Sequence, residues 1–205
     1  MYDSATKTMR RLIVALLVSV CVTAASAQQP PTIVGFDFTK ATFADPHFLD
    51  SSSEDVRSKL VPVWNREASL DLQQQLWDEG IRSLVDPSST EHENLSVSQS
   101  QLFGLPTDRQ FLDPPLRAKN VNRYVGGSGL GILVMVQSLS KEADAAALEW
   151  ILFDRSNGRI IRYGFSKGTT GGGGLHNFYL KGIKRANSSA AHDLKVTLRA
   201  MTPGR

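Results

Sequence analysis

Two residues that could do chemistry, Ser128 and His176, lie in or next to glycine-rich segments. Ser128 lies in GGSGLG, residues 126–131. A nucleophile elbow needs a glycine two residues after the serine, where Leu130 stands, and it follows a strand rather than preceding one. No register of this segment gives the Gly-x-Gly-x-x-Gly pattern of a dinucleotide site either. We therefore interpret it as a flexible entry to a strand.

The second glycine-rich segment follows Lys167 and reads GTTGGGG, residues 168–174. Its backbone N–H groups could meet an anion at a helix start, but it lacks the Gly-Lys-Ser/Thr ending of a phosphate loop. A hinge or a close backbone approach is the favoured interpretation. The alternative is a small extracytoplasmic hydrolase or ligand-binding protein that uses both loops with Ser128 or His176. That alternative requires a serine, a histidine and a carboxylate within hydrogen-bond reach of one another.

No metal or cofactor site is predicted. The four histidines lack the i, i+4 spacing of a zinc helix; they are His47, His92, His176 and His192. Asp37, Glu149 and Asp154 could in principle form a carboxylate pair, although aspartates at strand ends commonly accept hydrogen bonds from turn amides. We predict no catalytic residue, and the chain reads as non-enzymatic.

The first residues have the layout of a secretory signal. Basic Lys7, Arg10 and Arg11 precede an apolar stretch at residues 12–22, which is followed by Ala25-Ser26-Ala27. The apolar stretch is shorter than the roughly 20 residues that span a bilayer. We predict a signal peptide over residues 1–27, cleavage after Ala27 and a periplasmic or secreted protein, with Met1 and Met9 both open as the start. Cleavage would remove Cys21, the single cysteine.

Charge is unevenly distributed along the chain. The formal net charge is +3, and the predicted mature chain is close to neutral, so net charge does not indicate a nucleic-acid partner. Residues 45–95 hold eleven acidic and four basic side chains, whereas residues 109–205 hold fifteen basic and six acidic ones. Either the two surfaces attract each other within one fold, or a basic face is offered to an acidic partner or to anionic headgroups.

Hydrophobic patterns predict the N-terminal elements. Residues 32–38 read as a buried strand, and Asn65 is predicted to cap a helix that runs to Val85 and stops at Asp86-Pro87. At 100° per residue one apolar stripe of this helix faces the core: Leu70, Trp77, Ile81, Leu84 and Val85. Leu72 and Leu76 fall on nearly the opposite side, where a second layer or a partner would cover them.

The remaining patterns predict a sheet with a hairpin. Residues 86–123 read as a long irregular insertion with one short element around residues 97–102. Residues 131–139 and 147–154 read as buried strands, and Asn157-Gly158 predicts a tight turn into a returning strand. Residues 175–201 fit either a strand or a helix. The fold class is α/β or α+β, a single domain over residues 28–205 with one small sheet packed against two or three helices.

These elements resemble two families of extracytoplasmic domains, those of the curli-secretion lipoprotein and of the N-terminal domain of the Tol-system β-propeller protein. The resemblance rests on Ile33-Val34-Gly35-Phe36-Asp37-Phe38, the helix ending near Leu84, the strand at residues 132–139 and the hairpin at residues 154–161. It implies a small α/β sandwich with a C-terminal helix from about Leu175.

We therefore predict a domain that binds a partner protein or envelope component, with contact to a membrane surface and oligomer formation both open. The candidate binding residues are Leu72, Leu76, Arg155, Arg159, Arg162, Gly172, Gly173 and His176.

Overall fold

The computed structural model describes residues 29–43, 53–96 and 114–201, which form an α/β fold. The strands are β1 (Thr32–Asp37), β2 (Thr42–Phe43), β3 (Leu84–Val85), β4 (Leu130–Ser140), β5 (Ala145–Asp154) and β6 (Ile160–Thr169). The helices are α1 (Ser53–Asp55), α2 (Val61–Asp78), α3 (Ser88–Leu95), α4 (Pro114–Val121) and α5 (Leu175–Ala200). A π-helical turn (Val56–Leu60) joins α1 to α2, and a 3-10 turn (Asn122–Tyr124) follows α4. The predicted signal peptide lies outside the described residues.

The strands form one mixed sheet in the order β3-β1-β4-β5-β6. Strand β1 is parallel to both β3 and β4, and β2 pairs in parallel with the far end of β4. Strands β4, β5 and β6 form an antiparallel meander. The predicted strands in residues 131–139 and 147–154 are confirmed, as is the hairpin at Asn157-Gly158, where Gly158 has the positive φ of 74° that such a turn requires.

Each face of the sheet has its own hydrophobic core. Helices α2 and α5 pack on one face, where Trp64, Tyr179, Phe36 and Leu148 contribute to the larger core. The smaller core on the other face lies beneath α4 and the 3-10 turn and includes Val121, Tyr124, Met135 and Phe153. The C-terminal segment is the helix α5, so the prediction that followed from the resemblance is correct and the strand alternative is not.

Helix α2 begins earlier and ends earlier than its sequence pattern predicts. Asn65 is not its cap but a buried residue inside it, and the helix ends at Asp78. Gly80, with a φ of 78°, accommodates the left-handed turn, while the N–H groups of Gly80 and Ile81 bond back to the carbonyls of Trp77 and Leu76. Leu84 and Val85 then lie in β3 rather than in the helix.

The inward face of α2 is also opposite to the predicted one. Leu72 and Leu76 are completely buried, so the hypothesis that they form a binding surface is wrong. The predicted core residues Leu70 and Trp77 are instead 52% and 50% exposed.

The predicted irregular insertion at residues 86–123 contains helices α3 and α4 and the 3-10 turn. The prediction is therefore wrong for those parts. The short element predicted around residues 97–102 falls outside the described residues.

Candidate functional site

The structure separates the predicted binding residues into two groups at opposite ends of the sheet. Arg155 and Arg159 lie at the turn between β5 and β6, whereas Gly172, Gly173 and His176 follow the other end of β6. Ten residues of strand at about 3.3 Å each place these ends ~30 Å apart. Arg162 lies within β6 and is exposed. No single site contains all these residues.

The same separation applies to Ser128 and His176. Ser128 precedes the first residue of β4 and donates a hydrogen bond to Gln29 Oε1 at 3.0 Å. His176 lies in the first turn of α5, where its ring stacks on Trp64 and its Nε2 is 3.5 Å from Glu67 Oε1. Trp64 also contacts Phe43, which pairs with Leu139 at the far end of β4. These two residues therefore do not form the nucleophile–base pair that the hydrolase alternative needs.

The outer edge of β1 beyond its short pairing with β3 is closed by side chains. Asn65 Oδ1 accepts from the N–H of Phe36 at 2.7 Å, and Asn94 Oδ1 accepts from the N–H of Phe38 at 2.7 Å. Asn94 Nδ2 donates to the carbonyl of Phe36, and Thr90 Oγ1 donates to that of Val34. These buried side chains do what a neighbouring strand would do, so this edge offers no backbone groups to a partner.

The close approach of this polar cluster depends on Gly35. A Cβ at this position would lie 2.1 Å from Thr90 Oγ1, and its φ of 118° disfavours any other residue. Gly35 therefore allows α2 and α3 to reach the edge of β1.

The opposite edge of the sheet, formed by β6, pairs with no further strand among the described residues. Tyr163 is 45% exposed on the face away from α5, where the exposed Lys167 and Thr169 accompany it, while the exposed Arg162 lies on the face towards α5. On the other face Gly168 packs directly on α5, where an added Cβ would lie 2.0 Å from the carbonyl oxygen of Gly182. Arg185 reaches from α5 to the end of this edge and donates to the Thr169 carbonyl at 3.0 Å.

Several basic side chains of α5 pair with acidic residues, whereas the basic side chains along β6 do not. Glu67 lies 3.5 Å from both Lys184 and His176, and Glu79 contacts Lys195, so the acidic N-terminal half meets basic residues of α5 within the fold. By contrast, residues 155–174, which include β6, contain four lysines and arginines and no acidic residue. Among the described residues, Arg162 and Lys167 make no ion pair.

Beside the Tyr163 side of β6 lies a buried ion pair that sequence reasoning missed. Glu149, on β5, is fully buried and accepts hydrogen bonds from Arg117 Nε and from Gln137 Nε2. Burial raises the pKa of Glu149, whereas the hydrogen bond and charge of Arg117 lower it. The Arg117 guanidinium also lies 3.6 Å from the centroid of the Tyr163 ring, so it joins the buried carboxylate to the exposed aromatic side chain.

A second polar cluster continues across the sheet to β1. Arg123 Nη2 lies 3.1 Å from Asp37 Oδ2, and its Nη1 lies 2.9 Å from Glu93 Oε2. Burial and the nearby Asp37 carboxylate raise the pKa of Tyr124. Register aligns Asp37, Met135, Glu149 and Phe165 in one row across four strands.

The two carboxylates of this row, Asp37 and Glu149, are each paired with an arginine. Strand β4 lies between them, and each carboxylate pairs with its own arginine. This arrangement suits docking of α4 and the 3-10 turn better than acid–base catalysis. Arg117, Asn120 and Arg123 repeat at intervals of three residues, which is the one sequence signal that could have placed them on a helix face. Asp154, the third candidate carboxylate, accepts hydrogen bonds from Ser156 and Asn157 in the hairpin turn.

Within residues 29–43, 53–96 and 114–201 no cluster of three or more metal-ligating side chains occurs. In this same part of the chain no helix combines the length and apolar character needed to cross a membrane.

Comparison with known proteins finds similarity among solved structures only. No family model and no curated protein matches the chain. A PelC variant dodecamer from Paraburkholderia phytofirmans is 12% identical, with a TM-score of 0.33 over 82% of this chain and 93% of that one. Lipoprotein GNA1162 from Neisseria meningitidis is 12% identical, with a TM-score of 0.31 over 85% of this chain and 100% of that one. A putative lipoprotein from Caulobacter crescentus is 16% identical, with a TM-score of 0.25 over 44% of this chain and 80% of that one. These TM-scores are too low to transfer any property of those proteins to this chain.

Proposed function

We propose that this chain is a non-enzymatic extracytoplasmic protein that binds an extended acidic segment of a partner protein along β6. The observation that carries the proposal is the contrast between the two edges of the sheet. The β1 edge is closed by Asn65, Thr90 and Asn94, whereas β6 presents ten residues of strand with no described strand beside them. The export pattern of residues 1–27 supports the extracytoplasmic location.

Strand addition would use both the backbone and the side chains of β6. An added strand gains main-chain hydrogen bonds from an open edge, and its side chains reach alternate faces of the sheet. Arg162 and Lys167 lie on opposite faces by the register of β6 with β5, so acidic residues on either face of the added strand would meet a cation. Tyr163 supplies an exposed aromatic contact held by Arg117.

The test is selection of ligands from a random peptide library displayed on phage, followed by binding measurements with the selected peptides. We expect enrichment of peptides with Asp or Glu at alternate positions, and affinity that falls as salt rises. Hydrogen exchange should show new protection at the amides of β6. Selected peptides that protect residues elsewhere and leave β6 unchanged would overturn the proposal.

Paired charge reversals supply the control. Arg162→Glu with Lys167→Glu should weaken the selected peptides by about tenfold or more, because two attractive contacts become repulsive. Arg66→Glu with Arg82→Glu makes the same change in net charge at exposed positions on α2 and on the turn that follows it, and should leave affinity unchanged. Equal losses in both variants, or stronger binding to anionic vesicles than to any peptide, would contradict recognition of a protein segment.

A further inference from the structure

Two buried polar groups lie unpaired on the face of the sheet that α5 covers, at the edge that β6 forms. They are the indole Nε1 of Trp150 and the hydroxyl Oγ of Ser166, and within the part of the chain that the structure describes neither makes a hydrogen bond. Trp150 is 2% exposed and Ser166 is 6% exposed. Most buried polar groups are paired, so two unpaired ones beside a sheet edge point to a ligand that pairs them. Because both can donate a hydrogen bond, we call them the β6 donor pair.

Gly164 brings the indole of Trp150 to the edge of the sheet. Trp150 pairs with Gly164 across β5 and β6, and a Cβ on Gly164 would lie 2.4 Å from the indole Cζ2 and 2.9 Å from Nε1. The ring therefore occupies the space over Gly164 that a side chain would otherwise fill. Since β6 has no described strand on its other side, the indole lies over the outermost strand of the sheet.

A cation lies beside the β6 donor pair on the same face. Arg162, Gly164 and Ser166 alternate along β6, so all three share the face that Trp150 covers. Residues two apart in a strand are ~7 Å apart, which places Arg162 next to the indole. Arg162 is exposed and makes no ion pair with any described residue. The position over Gly164 therefore combines two donors with an unpaired positive charge.

We propose that the residue of a partner strand opposite Gly164 is an aspartate or glutamate whose carboxylate accepts hydrogen bonds from the β6 donor pair. Directly opposite residues of neighbouring strands share a face and have Cβ atoms about 5 Å apart, so this carboxylate reaches the indole edge. The indole N–H only donates and therefore selects an acceptor, while Arg162 selects a negatively charged one. An apolar side chain there would leave both donors buried and unpaired. This inference rests on the proposed function, because it requires a strand added at β6.

The test is a double-mutant cycle between this chain and the peptides selected on it. Each acidic residue of a peptide is replaced by alanine in turn, and its affinity is measured for the unchanged chain and for Ser166→Ala. We expect one peptide position whose replacement is coupled to Ser166→Ala by about tenfold, the effect of a hydrogen bond to a charged group. Ser166→Ala should not lower the melting temperature, because its hydroxyl has no partner to lose. Ser89→Ala, at an exposed position of α3, is the matched control and should couple with no peptide position.

The indole N–H resonance of Trp150, assigned by its loss in Trp150→Phe, gives a second measurement. Binding should move this proton downfield as the carboxylate accepts from it, whereas the signal of the exposed Trp77 on α2 should stay in place. A peptide that protects the β6 amides but lacks the coupling or the Trp150 shift would overturn this inference and leave the proposed function standing. Peptides that leave the β6 amides unprotected would overturn both.

Discussion

At the scale of single residues, Glu149 and Arg117 form a contact in which burial and charge oppose each other. Both side chains are almost completely buried. Burial raises the folded-state pKa of Glu149 above its ordinary value of 4.5, so the folded state holds this proton more tightly than the unfolded state. The contribution of Glu149 to the free energy of unfolding therefore decreases as pH rises from 4.5 through its raised pKa.

Arg117→Met should destabilise the protein by about 3–5 kcal/mol near neutral pH, because it leaves a buried carboxylate without its cation. Without Arg117 the pKa of Glu149 should rise further, so that Glu149 takes up a proton at low pH and no longer buries a charge. The loss of stability should therefore be smaller at about pH 5 than at pH 8. Urea denaturation at both pH values measures it. Arg117→Met combined with Glu149→Leu should recover most of the stability, and a double variant as unstable as the single one would contradict this explanation.

Asn94 closes the β1 edge with two hydrogen bonds of its side chain. Asn94→Ala should therefore cost about 2–4 kcal/mol, because the Phe38 N–H and the Phe36 carbonyl would be left buried and unpaired. Gln74→Ala is the matched control, since its amide bonds the exposed Asp78 and its loss should cost less than about 0.5 kcal/mol. Thermal unfolding of both variants decides whether the edge closure stabilises the fold.

At the scale of elements, α2 has one buried and one exposed leucine two residues apart, Leu72 and Leu70. Leu72→Ala should reduce the free energy of unfolding by about 2–5 kcal/mol, because it leaves a cavity between the helix and the sheet. Leu70→Ala should change it by less than about 0.5 kcal/mol. Chemical denaturation compares them directly. Equal losses would contradict the orientation of this helix.

The orientation of α2 could not be read from apolar periodicity, for a physical reason. Its buried face includes Asn65, Ala68 and Ser69, which are polar or small, so that face carries little hydrophobic signal. The predicted stripe also included Ile81, Leu84 and Val85, which are not in the helix because it ends at Asp78. Short sequence patterns predicted the structure correctly where neighbouring residues determine it, as at the Asn157-Gly158 turn.

The sequence also predicted only part of the candidate site. Alternation and charge along residues 155–167 indicated the exposed basic hairpin, and Arg155, Arg159 and Arg162 all belong to it. Closure of the β1 edge was not predictable, because Asn65 and Asn94 meet β1 across 29 and 56 residues of sequence. Without that closure, nothing in the sequence distinguishes β6 as the open edge.

At the scale of the whole molecule, the sheet must keep an open edge for a partner while avoiding uncontrolled pairing with other chains. Charged side chains on an edge strand are a common way to prevent edge-to-edge aggregation, and Arg162 and Lys167 occupy such positions on β6. Their cationic charge would repel a second β6 edge and attract an acidic segment. The same two residues would therefore select the partner and keep the protein dispersed.

Arg162→Thr with Lys167→Thr should accordingly raise the rate of aggregation, because threonine favours strands and removes both charges. Light scattering at moderate temperature, below the unfolding transition, measures this rate. Arg66→Thr with Arg82→Thr removes the same charge from α2 and the turn that follows it and should leave the rate unchanged. If both double variants aggregate equally, net charge rather than the β6 edge keeps the protein dispersed. An increase confined to the β6 variant would mean that its two cations protect an edge able to accept another strand.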